Sequence, residues 1–175
     1  LLGLLGTLRR KNIYHKSSKL EVIHQSINKE VVDINKKRKL ITFVGKLNTA
    51  KGYDLFGEAI IKILNQHSKW RAVVIGDEPR EKLNYKHKNL KLLGFQKHTK
   101  VLDIFKKTSI AVACSRWEEP FGRTSLEASS RGCAVIISNR GGLPETITNG
   151  VIIRTLNSKN VYNSINELIK NKNKR

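Results

Sequence analysis

The sequence predicts an α/β fold, a Rossmann-like parallel sheet with helices on both faces. Apolar runs of four to six residues alternate with amphipathic segments, and such runs are typical of parallel strands buried on both faces. Three runs end in glycine, at Gly45, Gly76 and Gly94, and a fourth is followed by Gly141-Gly142. Glycine at a strand end lets the backbone approach a ligand closely. The pattern therefore predicts a ligand site at the carboxyl edge of the sheet.

The predicted strands and helices alternate along the chain. Strands are expected at residues 20–24, 40–44, 70–75, 90–93, 109–114, 133–137 and 151–153. A helix is expected after Gly52, because Leu55, Ala59 and Ile63 recur with the spacing of an amphipathic helix. Further helices are expected over residues 97–108, from Gly122, and around residues 161–169, with a short turn or helix at 141–145. Residues 28–39 are expected to form a charged connector.

The length and composition allow one domain with a substantial core. The chain begins at Leu1 and contains no methionine, so we expect a fragment. Residues 1–8 are too short to cross a bilayer. Cys114 and Cys133 lie in apolar runs, so we expect core residues of a reducing compartment. No Cys and His cluster has metal-ligand spacing and no Asp-x-Asp pair occurs, so the sequence predicts no metal site.

The net charge of +20 is compatible with several partners. Lysines are spread along the whole chain, which favours a basic solvated surface. Contact with an anionic membrane is the second interpretation. Specific nucleic-acid binding is the third, and we do not expect it, because aromatic residues make up only 6% of the chain and form no base-stacking pattern.

Residues 115–127 contain the first group of candidate site residues. They follow an apolar run, hold Glu119 in an acidic loop and lead through Gly122 into a helix that carries Glu127. Free amides at Gly122, Arg123 and Thr124 favour a phosphate at the start of this helix. Carboxylates repel phosphate but accept hydrogen bonds from sugar hydroxyls. This spacing alone also fits two ordinary surface carboxylates.

The second group lies in the loop at residues 45–52. Lys46 and Lys51 stand five positions apart at the mouth of the expected cleft, where they can contact a diphosphate from two directions. The loop lacks the Gly-Lys-Ser/Thr ending of a P-loop, so the sequence does not predict a nucleoside triphosphatase. A charge-assisted hydrogen bond contributes about 1.5–3 kcal/mol and a helix end about 0.3–1 kcal/mol, so the lysines are expected to dominate. Either lysine alone also fits a solvated surface position.

Three segments together carry a resemblance to a known family. Residues 43–52 resemble a strand and loop with two basic residues. Residues 119–127 resemble a Glu-x7-Glu motif, and residues 141–145 resemble a Gly-Gly-x-x-Glu turn. In this order they resemble the carboxyl-terminal half of GT-B glycosyltransferases of family 4, a retaining and metal-independent group. The resemblance covers about residues 20–170. It implies that residues 1–19 are the end of the amino-terminal domain and the interdomain segment, and that residues 20–175 bind a nucleotide sugar.

The resemblance implies a role for each matching residue. Lys46 and Lys51 would bind the diphosphate of the donor. Lys46 stands where arginine is usual, so it offers a single ammonium group instead of a bidentate guanidinium group. Glu119 would contact hydroxyls of the transferred sugar, beside the backbone of Phe121 and Gly122. These residues would position the donor and stabilise the leaving diphosphate.

The remaining donor contacts are implied in the same way. Arg123-Thr124 would offer amides to the phosphates, and Glu127 would bind the ribose diol. Gly94-Phe95 resembles the loop that lies along the nucleotide base, and Gly76 resembles the glycine on the opposite side. Gly45 resembles the end of the strand before the loop that holds Lys46 and Lys51. No cofactor is expected, because the nucleotide sugar is a substrate.

The sequence departs from the family pattern in two respects. Gln25-Ser26 replaces the usual Asn-Gly of the interdomain segment. No counterpart of the acceptor-binding amino-terminal domain is present, so the isolated chain is expected to bind nucleotide weakly and to transfer little sugar. The alternative is a nucleotide-binding module without catalysis. We expect a cytoplasmic protein of glycan, lipopolysaccharide or lipid biosynthesis, with contact to the cytoplasmic face of a membrane as a further expectation.

Overall fold

The apolar runs pair into one parallel sheet. The computed structural model describes residues 23–28 and 30–175 of the chain. The strands in this part are β1 (Arg38–Val44), β2 (Arg71–Ile75), β3 (Leu90–Leu92), β4 (Thr108–Ala113), β5 (Ala134–Ser138) and β6 (Val151–Ile153). Their order is β3-β2-β1-β4-β5-β6, and every neighbouring pair is parallel. The direction of the strand order reverses between β1 and β4, which is where ligands bind in open α/β sheets.

Helices cover both faces of this sheet, as predicted. The described part of the chain contains α1 (Tyr53–Gln66), α2 (His98–Lys107), α3 (Arg123–Ser130) and α4 (Ser158–Lys170), with 3-10 turns at Ile34–Lys36 and Leu143–Thr146. One core layer joins α1 and α4 to the sheet and includes Phe43, Ile60 and Ile165. The other joins α2 and α3 to the opposite face and includes Phe105 and Ile137. The predicted Rossmann-like class is therefore confirmed.

The largest difference from the sequence prediction lies before β1. The strand expected at residues 20–24 is not formed by Ile23 or His24, and the rest of that segment lies outside the described residues. The proposed remnant of another domain, residues 1–19, also lies outside them. β1 begins at Arg38, two residues before the predicted start, because Arg38 pairs with Thr108 of β4. The other strand ends agree to within two residues.

Lys37 is a half-buried cation that joins two helix ends. Its ammonium group donates to the carbonyl of Phe105 (2.8 Å) near the end of α2 and to that of Arg131, just after α3. Positive charge is favourable at a helix carboxyl end, where carbonyl groups lack partners. This connector residue therefore fixes two helices on the same face of the sheet.

Both cysteines are core residues, as the apolar runs predicted. Cys114 and Cys133 are free thiols and buried. Burial raises the pKa of Cys114 to about 12 and that of Cys133 to about 11. Thiols with such pKa values stay protonated at neutral pH and are poor nucleophiles.

Gly52 allows the loop after β1 to lie directly against the end of β4. It precedes α1 in the left-handed conformation (φ 73°). A Cβ at this position would lie 1.9 Å from the carbonyl oxygen of Cys114. The Cys114 thiol also donates to the Gly52 carbonyl at 3.2 Å. Only glycine satisfies both the conformation and the close approach.

We expect Gly52→Ala to destabilise the protein more than Gly132→Ala. Gly132 has a similar φ (70°), but a Cβ there would meet nothing nearer than the Lys37 side chain at 3.5 Å. Both variants carry the left-handed penalty of about 1–2 kcal/mol. Only Gly52→Ala adds a clash with backbone, which costs a further ~1–3 kcal/mol. Chemical denaturation measures the difference, and equal free energies of unfolding would contradict this account.

Candidate functional site

A cleft opens at the carboxyl edge of the sheet, between the ends of β1 and β4. It has a volume of about 130 Å³. Its walls come from the two strand ends, the loop after β1, the start of α3 and the turn after β5. The residues that line it are Phe43, Val44, Gly45, Lys51, Ala113, Ser115, Glu119, Gly122, Arg123, Thr124 and Leu143.

Lys51 and Glu119 meet in this cleft. The Lys51 ammonium group lies 2.6 Å from Glu119 Oε1, although 68 positions separate them in the chain. The side chains are 31% and 14% exposed, so the pair faces the cleft from a largely covered position. Lys46 lies in the same loop but is exposed and is not among the residues that line the cleft. The two lysines, which the sequence treats alike, therefore have different surroundings.

The start of α3 presents backbone donors to the same cleft. Gly122 precedes the helix in the left-handed conformation (φ 95°). Its carbonyl accepts from the Ser125 amide at 3.2 Å and from the Ser125 hydroxyl at 2.7 Å. The amides of Arg123 and Thr124 have no acceptor among the described residues. Such a helix start favours an anion.

The Gly-Gly turn after β5 supports the loop that carries Glu119. The Gly142 amide donates to the Glu119 carbonyl at 2.7 Å, and the Gly141 amide donates to the Glu118 carboxylate. A Cβ on Gly141 would lie 2.2 Å from the Glu119 carbonyl oxygen, so a side chain there would displace the loop. Phe121 lies in the same loop, is buried, and stacks on the ring of His24 with centroids 5.8 Å apart.

Glu127 is buried beside the cleft and is bound by a residue that the sequence analysis did not select. Its Oε1 lies 3.0 Å from Nε2 of His98, the first residue of α2. Arg123 approaches the same oxygen at 3.5 Å. The available sequence signal was the position of His98, which begins a helix three residues after Phe95.

The three glycines at the strand ends lie side by side, as the parallel sheet requires. The Gly45 amide donates to the Ile75 carbonyl at 3.0 Å, and the Gly76 amide donates to the Gly94 carbonyl at 2.9 Å. A Cβ on Gly76 would lie 1.8 Å from the Gly45 carbonyl oxygen. Phe95 follows Gly94 and is 76% exposed on this edge.

An ion pair that the sequence analysis missed fixes the loop after β1. Arg116 binds both carboxylate oxygens of Asp54 at 2.6 Å and donates to the Thr49 carbonyl at 2.6 Å. Burial alone would raise the pKa of Asp54, but the hydrogen bonds and charge of Arg116 hold that pKa below its ordinary value. The amides of Arg116 and Trp117 also donate to the Ala50 carbonyl. The loop after β1, which holds both lysines, is thereby attached to the loop that carries Glu119.

Residues 23–28 and 30–175 contain no group of three His, Cys, Asp or Glu side chains that could hold a metal ion. In the same ranges, no helix has the length and apolar character needed to cross a membrane.

The chain is similar to known glycosyltransferases. The family model described as Glycosyl transferases group 1 matches residues 24–175. Spore coat protein SA of Bacillus subtilis is 32% identical over 155 residues, covering 79% of this chain and 41% of that protein. The C-terminal domain of the glycosyl transferase group 1 family protein LpcC from Francisella tularensis is 26% identical with a TM-score of 0.68, and 79% of each chain is covered.

A further solved structure is similar in fold. Anabaena HepE, in complex with UDP-glucose, is 22% identical with a TM-score of 0.67, covering 78% of this chain and 40% of that chain. This chain spans about two fifths of the length of spore coat protein SA and of HepE. The family match and the LpcC domain confirm the predicted resemblance and the predicted half of the GT-B fold.

We expect Asp54→Asn to destabilise the protein by about 1 kcal/mol at neutral pH, because Arg116 loses a charged partner in a partly screened position. The pKa of Asp54 is lowered from 3.8 in the folded state. Its contribution is therefore present above that value and is lost as the pH falls through the folded pKa. Denaturant unfolding of both proteins at neutral and acidic pH measures this change.

The control is Asp77→Asn, which neutralises an exposed carboxylate that has no contact with Arg116. It should leave the free energy of unfolding nearly unchanged. A difference between wild type and Asp54→Asn that persists unchanged in acid would contradict the assigned role of the Asp54 charge.

Proposed function

The chain belongs to the glycosyl transferases group 1 family, and from this premise we propose that its cleft binds a nucleoside-diphosphate sugar for glycosyl transfer. The observation that carries the proposal is the contact of Lys51 with Glu119 beside the start of α3. Phosphate needs cations and amide donors, whereas sugar hydroxyls need acceptors. The cleft contains both kinds of group within one short stretch of surface.

The proposed diphosphate site consists of Lys51 and the first amides of α3. Lys51 reaches the cleft, and the Arg123 and Thr124 amides have no acceptor within the described chain. Lys46 extends this site as an exposed second cation in the same loop. A lysine hydrogen bond to an anion contributes about 1.5–3 kcal/mol, which exceeds the contribution of about 0.3–1 kcal/mol from a helix end.

The proposed sugar and ribose sites use the two carboxylates. Glu119 accepts from hydroxyls of the transferred sugar, next to the backbone of Phe121 and Gly122. Glu127 accepts from the ribose diol, and Gly94-Phe95 lies along the base on the side of β3, opposite Gly76. Gly45 directly follows β1, between these regions. The spread of these residues along one edge supports an extended ligand.

In this proposal the chain acts by position and charge. Lys51 and the α3 amides stabilise the negative charge that develops on the leaving diphosphate as the glycosidic bond breaks. Glu119 fixes the orientation of the sugar. The transfer is proposed to be retaining and independent of metal, as in the family that the motifs resemble, and no protein nucleophile is assigned.

We further propose that a second domain completes the site. The cleft of about 130 Å³ is smaller than the roughly 300–1,000 Å³ of typical ligand pockets. The relatives are more than twice as long as this chain. An amino-terminal Rossmann domain that binds a glycan or lipid acceptor would cover the donor. The chain alone would then bind nucleotide weakly and transfer little sugar, and a module that only binds nucleotide is the second candidate.

A basic groove at the opposite edge of the sheet supports contact with an anionic membrane at the cytoplasmic face. It has a volume of about 500 Å³ and lies at the amino ends of β1, β2 and β3. Leu40, Val73 and Leu90 contribute apolar surface to it, and no acidic residue lines it. Its five basic residues have no ion-pair partner among the described residues; they are Arg38, Lys39, Arg71, Lys88 and Lys91.

We expect this chain to bind one of UDP, GDP and ADP preferentially in a thermal-shift and calorimetric panel. UDP is the first choice, because HepE, a protein of similar fold, was solved with UDP-glucose. Lys51→Met should weaken that binding about 10- to 100-fold, the equivalent of one charge-assisted hydrogen bond. Lys62→Met, which removes an exposed lysine of α1, is the matched control and should bind normally.

Two results would contradict this donor proposal. One is the absence of binding to every nucleoside diphosphate and its sugars. The other is an equal loss in Lys51→Met and Lys62→Met. Robust sugar transfer by the chain alone would instead reject the proposed need for a second domain.

We expect the groove to contribute most of the affinity for anionic vesicles. A basic residue near such a surface contributes about 1 kcal/mol, so loss of four groove cations should weaken cosedimentation with phosphatidylglycerol vesicles at least ~10-fold more than loss of four cations elsewhere. Phosphatidylcholine vesicles should bind neither protein. The groove variant replaces Lys39, Arg71, Lys88 and Lys91 with glutamine, and the control replaces Lys62, Lys159, Lys170 and Lys172.

Equal loss in the groove variant and the control would reject the groove as the membrane contact. Loss of binding to a single-stranded RNA oligonucleotide, with vesicle binding intact, would assign the groove to nucleic acid instead.

A further inference from the structure

His98 contacts a carboxylate of the proposed donor site from a separate element of the fold. It is the first residue of α2, whereas Glu127 lies in α3. Its Nε2 lies 3.0 Å from Glu127 Oε1. The His98 side chain is 57% exposed and that of Glu127 only 9%. A buried acceptor is therefore held by a donor whose ring borders solvent.

The two donors that reach Glu127 both approach the same oxygen. His98 lies 3.0 Å from Oε1, and Arg123 lies 3.5 Å from it. Hydrogen bonds from N–H to oxygen are typically about 2.7–3.2 Å long, so the His98 contact lies within the usual range and the Arg123 contact lies outside it. No donor within residues 23–28 and 30–175 contacts Oε2. The second oxygen thus keeps its full capacity to accept hydrogen bonds.

The contact with Glu127 indicates which tautomer of His98 is present. An ionised carboxylate only accepts hydrogen bonds, so Nε2 must carry a hydrogen in this contact. The charged groups that face the ring at this contact are Glu127 and Arg123, both from α3. The terminal torsion of a glutamate is broad and has no strong preference of its own. A fixed donor at Oε1 therefore determines the direction in which Oε2 points.

We propose that His98 is a positioning residue that orients the Glu127 carboxylate for the vicinal hydroxyls of ribose. This inference rests on the proposed donor site, because it assigns Glu127 to the ribose. His98 holds Oε1 and leaves Oε2 to accept from the ligand. A ligand without one of the two hydroxyls gains little from that orientation, so His98 contributes to discrimination between ribose and 2′-deoxyribose.

The experiment compares UDP with 2′-deoxy-UDP by calorimetry, or the GDP or ADP pair if the panel selects another base. Wild type should prefer the ribonucleotide. His98→Ala should reduce that preference about 2- to 10-fold, the usual effect of one net hydrogen bond, with little change for the deoxy form. His98→Gln should restore the preference, because the glutamine amide supplies a donor near the position of Nε2.

A matched control is Thr99→Ala, an exposed change at the next position of α2. It should leave the preference unchanged, and the thermal unfolding midpoints of all variants should agree. An unchanged ratio in His98→Ala, or tighter ribonucleotide binding by it, would overturn the inference while the donor site stands. No nucleotide binding by wild type would overturn both.

Discussion

The carbonyl of Cys114 lies so close to Gly52 that no side chain fits between them. This contact joins the loop after β1 to the end of β4, at the point where the strand order reverses. The Arg116–Asp54 ion pair closes the same junction from the outside. Because the two loops cannot separate without breaking these contacts, Lys51 and Glu119 are brought to the same cleft. The proposed donor site depends on this junction, because the junction sets the relative position of Lys51 and Glu119.

Charge is distributed unevenly over this basic protein. Seven of the fourteen acidic residues follow the carboxyl ends of β2, β4 and β5; they are Asp77, Glu78, Glu81, Glu118, Glu119, Glu127 and Glu145. Several of them bind backbone amides or basic side chains of the loops. The groove at the amino ends of β1 to β3 is lined by basic, apolar and neutral polar residues and by no acidic ones. The net charge of +20 is therefore distributed unevenly between the two edges of the sheet. The carboxyl edge is suited to a mixed polar ligand, and the amino edge is suited to an anionic surface.

At the carboxyl edge, some loop residues hold the backbone in place and others face the cleft. The turn at Gly141-Gly142 and the carboxylate of Glu118 fix backbone, and they leave Glu119 to face the cleft. In the same way His98 contacts Glu127 from another helix. A carboxylate that is held by neighbouring groups loses less conformational entropy when a ligand binds. Short loops that support one another can thus present a preorganised surface in a domain whose cleft is small.

The sequence by itself determined the fold class, the order of nearly all strands and helices, and the family. It could do so because strands buried on both faces need uninterrupted apolar runs, and because the glycines and carboxylates of the three motifs stand at fixed spacings. The tertiary structure alone distinguished Lys51, which contacts Glu119, from the exposed Lys46. It alone paired Asp54 with Arg116 and His98 with Glu127. These pairs span 62 and 29 positions, and the packing of separate loops and helices, which no local pattern encodes, decides which side chains meet.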